Sequence, residues 1–218
     1  MSATWAVVPA YNEGKRIGPV VRAVRTHCPC VVVDDGSPDD TSAIAKRAGA
    51  AVLRHVVNLG KGAAMRTGAE YAIAHGAKRI IFLDGDGQHD PAEIPLFIAQ
   101  LKRGKQVVFG ARRMKTSMPI ERQAGRWLIR RVIRTIYGYN LHDPLCGYRA
   151  MTARAYARIR WRSRDYSVES EMIARAGRES LPYAEVDIST IYHDRFKGMT
   201  IVDGLKIVLH LVWWRMTH

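Results

Sequence analysis

Short runs rich in valine and isoleucine alternate with helical stretches through the first half of this chain. The runs fall at residues 6–9, 31–34, 51–56, 79–83 and 106–110, and the helical stretches at 17–27, 41–48, 62–75 and 91–101. Such alternation predicts an α/β fold with a mostly parallel central sheet and helices on both faces. In sheets of that kind ligands bind outside the carboxyl ends of the strands. Four successive strand ends are loaded accordingly: Pro9-Ala10-Tyr11-Asn12-Glu13-Gly14, Asp34-Asp35-Gly36-Ser37, Asn58-Leu59-Gly60-Lys61-Gly62 and Asp84-Gly85-Asp86-Gly87-Gln88-His89. Turns need Gly and Asp for their own sake. Paired carboxylates at two of four ends go beyond that need.

With 218 residues, the chain is long enough for one well-buried domain and short for two. Hydrophobic residues make up 47% and charged residues 25%, a globular balance. The formal net charge of +14 directs the chain toward polyanions: nucleic acid, anionic lipid headgroups or phosphorylated substrates. No zinc-finger spacing, RNA-binding motif or stacking array accompanies the charge, so no nucleic-acid partner is expected. Three cysteines and no basic leader predict reduced thiols and no secretory signal. Cys28 and Cys30 read as small buried hydrophobes. No apolar run reaches the roughly 18 residues of a membrane span.

Asp84 and Asp86 end a buried strand one residue apart. Their oxygens suit Mg²⁺ or Mn²⁺, hard cations commonly shared with phosphates, and Gln88 and His89 lie close enough to complete the shell. A nucleotide diphosphate leaving group needs such neutralisation. Capping of the next helix falls instead to Asp90, directly before Pro91. Asp34 and Asp35 offer acceptors to a base or ribose, or else shape a strand-to-helix turn in which Asp40 caps the next helix. Lys61 stands in a Gly-rich helix start that suits a phosphate-bearing ligand.

The second half is basic. Arg122, Arg126, Arg130, Arg131 and Arg134 recur at roughly helical spacing with Trp127, Leu128, Ile129, Val132 and Ile133, predicting an amphipathic helix over residues 114–134. Residues 143–149 read as a loop, 168–178 as a helix, 183–192 as a strand, and 201–218 as a last amphipathic helix.

Together the four strand-end motifs, with Val8-Pro9 and Val33 before them, resemble glycosyltransferases of family 2 with the GT-A (Rossmann-like) fold. The segment from Asp143 to Arg149, the Glu169-Ser170-Glu171-Met172-Ile173 helix, and Glu185-Val186-Asp187-Ile188 followed by Arg195 resemble dolichyl-phosphate mannose synthases and related polyprenyl-phosphate sugar transferases. Cys146 and Asp187 depart from that pattern. The resemblance implies that Pro9, Tyr11, Glu13 and Asp34 or Asp35 hold the nucleotide. It also implies that Asp84, Asp86 and Gln88 hold the metal and diphosphate, and that Arg112, Arg122 and Arg195 receive the acceptor phosphate. It implies a single catalytic domain over 1–218: a nucleotide-sugar half to 115, an acceptor half over 116–200, and the C-terminal helix.

The function expected is inverting transfer of a sugar from a GDP- or UDP-sugar to a polyprenyl phosphate. A phosphate acceptor is already anionic and needs no strong base. A hydroxyl acceptor, the alternative, needs a carboxylate base, for which Asp143 is the candidate. The basic helices and their tryptophans predict peripheral attachment to an anionic membrane surface on the cytoplasmic side, with room for a membrane-spanning partner protein.

Overall fold

The computed structural model describes residues 3–112, 120–189, 191 and 201–217, apart from the side chains of 120–124, 201–206 and 217. The first half runs β1 (Thr4–Ala10), α1 (Gly14–Arg25), β2 (Cys30–Asp34), α2 (Thr41–Arg47), β3 (Ala51–Arg54), α3 (Lys61–Ala74), β4 (Arg79–Phe82), a 3-10 turn (Pro91–Glu93), α4 (Ile94–Lys102) and β5 (Val107–Arg112). The second half runs α5 (Ile120–Tyr137), β6 (Arg149–Thr152), α6 (Ala153–Ile159), α7 (Val168–Arg178), β7 (Tyr183–Ile188) and α8 (Ile201–Thr217).

The strands form one sheet of order β3-β2-β1-β4-β6-β5-β7. All neighbours are parallel except β6, which runs antiparallel between β4 and β5. Strand residues alternate between two cores, as the pleat requires. Val7, Val31, Val33, Phe82 and Phe109 meet α3, α5, α6, α7 and α8, while Ala6, Val8, Val32, Ile81 and Val108 meet α1, α2 and α4. Burial on both faces is why these strands read as unbroken apolar runs.

β6 and α6 were absent from the sequence reading, which made residues 143–149 a loop and placed the next helix at 168. Arg-Ala-Met-Thr carries no branched apolar run, and its first residue is a fully buried arginine. The consequence for function is direct. Because β6 is antiparallel, Arg149 pairs with Phe82 and Phe109, so the loop preceding it arrives at the carboxyl ends of β4 and β5.

Other expectations shift at their ends. β3 stops at Arg54, leaving Val56 and Val57 exposed, and β7 stops at Ile188. The basic helix covers Ile120–Tyr137. Asp90 caps as expected, accepting the Ala92 N–H at 2.9 Å. Asp40 makes no side-chain cap; Asp39 accepts the Thr41 N–H instead, at 3.1 Å. Cys28, Cys30 and Cys146 are buried free thiols, and burial pushes the Cys28 thiol up to about 11.

Candidate active site

At the end of β1, Pro9 is buried and Tyr11 is exposed. The loop that follows is stitched to the β2–α2 loop by three backbone donors: Asn12 N–H to Ser37 Oγ (2.8 Å), Glu13 N–H to Thr41 Oγ1 (2.9 Å) and Gly14 N–H to Asp39 Oδ2 (2.9 Å). Glu13 is half-buried. Burial raises its carboxyl, Arg16 pulls it back, and the charges of Asp86 and Asp39 raise it further, so its pKa lies above the usual value. Glu13 therefore sits in the field of Asp86 across the sheet edge.

Asp34 and Asp35 are almost wholly buried and bound to protein groups. Asp34 accepts the Ser37 N–H at 2.9 Å and the Ser42 hydroxyl. Asp35 accepts the Leu59 N–H (2.9 Å) and Gly60 N–H (2.7 Å), and His55 Nδ1 lies 2.6 Å from it. The far side of that ring meets Thr67 Oγ1 at 3.0 Å. Through these bonds both carboxylates shape the loops that follow β2 and β3.

The α3 N-terminus is also occupied by the chain itself. Arg164 O accepts the Ala63 N–H at 3.2 Å, and Trp161 Nε1 donates to Gly62 O at 2.8 Å. Gly60 adopts φ +94°, and a Cβ there would lie 2.4 Å from Arg164 O. A Cβ on Gly62 would lie 2.3 Å from Ser163 O. These glycines admit the close approach of the 163–164 backbone. Lys61 reaches the opposite way. Its Nζ lies 2.6 Å from Asp84 Oδ1 and 2.8 Å from Glu169 Oε1.

Beyond β4, Asp84 and Asp86 are both half-buried. Burial would raise the Asp84 carboxyl, but Lys61 above all, then His89 and Arg112, hold it below the ordinary range. The Gln88 N–H donates to Asp86 Oδ1 at 2.9 Å, folding the turn back on itself. The buried His89 takes the Asp84 N–H on Nδ1 at 3.3 Å and tilts against Tyr148. Its pKa is lowered, chiefly by burial, with Asp84 opposing, which keeps the ring neutral near pH 7.

Among the described residues no three His, Cys, Asp or Glu side chains are grouped to hold a metal unaided. Two carboxylates completed by phosphate oxygens and water is the arrangement Mg²⁺ commonly takes. The hard oxygens of Asp84 and Asp86 fit it, with Gln88 beside them.

The acceptor-side cluster centres on Asp143, which is 2% exposed. Arg112 grips it with Nε on Oδ2 (2.6 Å) and Nη2 on Oδ1 (3.0 Å), and Arg126 Nη2 adds 2.7 Å to Oδ1. Burial alone would raise this carboxyl; Arg112 and then Arg126 more than reverse that, leaving its pKa lowered. A carboxylate so held is a poor proton acceptor, which speaks against Asp143 as a general base. Glu185 supports it by accepting the His142 and Asp143 N–H groups at 2.7 and 3.1 Å. Arg149 is wholly buried and gathers the carbonyls of Cys146 (2.8 Å), Pro144 (2.6 Å) and Glu169 (2.5 Å), so it organises the loop.

Arg195 lies outside the described residues, as does the side chain of Arg122. Arg126, bonded to Asp143, and Glu169, bonded to Lys61, join these clusters without having been singled out as site residues from the sequence. Arg126 was legible as the arginine one turn beyond Arg122. Glu169 was legible as a glutamate on a helix otherwise fit for burial, where an acid needs a partner.

α5 and α8 pack together on one side of the molecule. They bury Ile129, Ile133, Leu211 and Trp214 but expose Trp127 (60%), Leu209 (60%), Trp213 (54%) and Met216 (78%). On α8 Val208 is half-buried while Leu209 and Val212 are exposed, and the Leu205 side chain lies outside the described residues. No helix among the described residues is long and apolar enough to cross a membrane.

Comparison with known proteins bears on the whole chain. An uncharacterized protein of Methanocaldococcus jannaschii is 35% identical over 95% of this chain and 90% of its own length. A UDP-N-acetylglucosamine–dolichyl-phosphate N-acetylglucosaminyltransferase of Methanococcus voltae is 29% identical over 97% of this chain and 96% of its own. Among solved structures, glucosyl-3-phosphoglycerate synthase of Mycobacterium tuberculosis, crystallised with Mn²⁺, uridine diphosphate and phosphoglyceric acid, superposes with a TM-score of 0.75 at 20% identity. The match covers 98% of this chain and 78% of that one, and confirms a GT-A fold. The profile of Glycosyl transferase family 2 matches residues 5–160, and the chain belongs to that family of glycosyltransferases.

Proposed function

We propose that this glycosyltransferase moves a sugar from a GDP- or UDP-sugar to a polyprenyl phosphate, with inversion, while lying on the cytoplasmic face of an anionic membrane. The observation that carries the reading is the arginine pair on Asp143. Arg112 ends β5 and Arg126 reaches Asp143 from α5, and Arg112 lies within the electrostatic reach of Asp84 beyond β4. Guanidinium groups recognise phosphate through paired planar hydrogen bonds. A dolichyl-phosphate-dependent relative matching over nearly the full length of both chains supports the same acceptor class.

In this reading Pro9, Tyr11 and Glu13 line the nucleotide, on loops that Asp34 and Asp35 hold in shape. Asp84, Asp86 and Gln88 hold Mg²⁺ or Mn²⁺, which neutralises charge on the departing diphosphate. Lys61 lends a positive charge to the same leaving group. Arg112 and Arg126, joined by Arg122 and Arg195, orient the acceptor phosphate. Its oxygen attacks the anomeric carbon without a base, as a firmly ion-paired Asp143 requires. A hydroxyl acceptor would need a proton acceptor that Asp143 does not provide. The tryptophans and arginines of α5 and α8 rest on the headgroups.

A transfer assay tests this. Purified protein is given a polyprenyl phosphate, Mg²⁺ or Mn²⁺, and GDP- and UDP-sugars in turn, and the organic extract is examined by mass spectrometry. A glycosylated lipid phosphate is expected. Transfer to a water-soluble phosphate but never to the lipid would overturn the acceptor assignment.

A further inference from the structure

We propose that Lys61 is a resident cation of the carboxylate cluster. It holds the place beside Asp84 until a divalent ion and the donor arrive, and Glu169 takes over its ammonium when they do. The inference rests on the metal reading of Asp84 and Asp86 given above.

Lys61 Nζ is shared between Asp84 Oδ1 (2.6 Å) and Glu169 Oε1 (2.8 Å), with only 13% of its side chain exposed. The enclosure is tight. A Cβ on Gly147 would lie 2.8 Å from Asp84 Oδ2 and 2.9 Å from Lys61 Nζ, so the loop before β6 closes directly over the pair. Asp86 adds a like charge on the other side of His89, which feels both carboxylates. Carboxylates crowded in a partly buried site need a counter-ion to remain ionised together. Lys61 supplies one that never dissociates.

It also competes. The ammonium at 2.6 Å takes one lone pair of Asp84 Oδ1 and offsets the carboxylate's charge, so it opposes the approach of a divalent ion. A second feature shows where the ammonium goes. Glu169 Oε2 is buried and lacks a hydrogen-bond partner. Buried carboxylate oxygens are nearly always satisfied, and an orphan calls for a reason. An ammonium has three donors. Released from Asp84, Lys61 has the second oxygen of Glu169 to bond. Glu169 is thus a positioning residue, acting on the metal only through Lys61. The metal alone meets a site already neutralised, whereas the metal with a diphosphate brings oxygens that favour the exchange. Metal binding and donor binding are thereby coupled.

Mn²⁺ binding to the full chain, followed by electron paramagnetic resonance without nucleotide and then with UDP or GDP, tests the proposal. Lys61→Gln should bind Mn²⁺ alone about tenfold tighter than the unmodified protein, and Arg112→Gln, which removes a nearby charge not bonded to Asp84, by less than about threefold. Lys61→Met is a second variant of similar size and should show the same sign. Glu169→Gln should weaken Mn²⁺ binding in the native background and leave it unchanged in the Lys61→Gln background, since its action runs through Lys61. Circular dichroism melts establish that each variant is folded. Equal effects of Lys61→Gln and Arg112→Gln overturn the proposal, as does a Glu169→Gln effect of the same size in both backgrounds. If the native protein binds Mn²⁺ with nucleotide and these cycles fail, the resident-cation idea falls alone. If no variant binds Mn²⁺ under any condition, the metal reading falls with it.

Discussion

Two strands of this sheet end in paired aspartates, and the pairs have different tasks. Asp34 and Asp35, after β2, are buried and engaged by backbone N–H groups, hydroxyls and the His55 ring. Asp84 and Asp86, after β4, are half-buried, and the cation Asp84 holds is a lysine side chain. The first pair spends its lone pairs on the protein and fixes loop shape. The second is half-buried at the sheet edge, where the proposed function puts the metal and diphosphate. What an acidic motif at a strand end does thus depends on how far its neighbours satisfy it, and residue type alone does not decide that.

Substitutions at the two pairs should separate these tasks. Asp84→Ala is expected to lower kcat for sugar transfer by about a thousandfold or more, because the charge on the leaving diphosphate loses its counter-ion. Activity within tenfold of the native enzyme would erase the distinction between the pairs. Asp35→Ala is expected to act on stability, costing on the order of 3 kcal/mol in urea unfolding by stranding the Leu59 and Gly60 N–H groups and His55. A variant of native stability with lost nucleotide binding would move Asp35 to the ligand side.

Much of this contrast was legible in the sequence, and the remainder depended on contacts made by distant segments. The valine and isoleucine runs of β1, β2 and β4 announced buried parallel strands, and the polar clusters after them marked the functional edge. β3 was read two residues too long, because Val56 has strand propensity yet lies in a loop with Val57. That loop is fixed by Asp35 and by the close approach of Gly36, where a Cβ would meet the Val57 backbone at 2.8 Å. β6 was missed because a buried arginine breaks the apolar pattern. At Gly60-Lys61-Gly62, read as a phosphate-binding helix start, the glycines admit the backbone of residues 163–164, a long-range contact the sequence does not announce, while Lys61 turns to Asp84. For Asp143, the base candidate for a hydroxyl acceptor alone, the sequence did not show that Arg112 and Arg126 would both be bonded to it.

Smaller effects extend the comparison to the outer surface and to pH. Arg131 and Arg134 are exposed on α5, and the Arg131 guanidinium lies 5.7 Å from the centre of the Trp127 ring. Replacing both with Gln should weaken binding to liposomes rich in anionic lipid by about 1 kcal/mol per charge in a sedimentation assay, leaving transfer to a short-chain soluble acceptor intact. Unchanged liposome binding would mean that this face of α5 does not meet the bilayer.

Asp143 has the pH signature of a carboxylate depressed on folding. In the window between its lowered folded value and the ordinary value near 3.8, the unfolded chain binds more protons. Its stabilising contribution is therefore full above that ordinary value and is lost as pH falls through the folded value. Urea unfolding of Asp143→Asn should show lower stability than the native protein at pH 7 and a smaller decline between pH 4 and about pH 2. Parallel curves would mean that Asp143 has the same proton affinity folded and unfolded.

The most direct test of the central claim, that the β4 pair is the catalytic metal edge, is sugar transfer to polyprenyl phosphate titrated with Mn²⁺ after chelation, in the native protein and in Asp86→Ala. The account predicts product that appears with metal in the native protein and is absent from a variant with an unchanged melting temperature. Equal, chelator-resistant transfer by both proteins would contradict it.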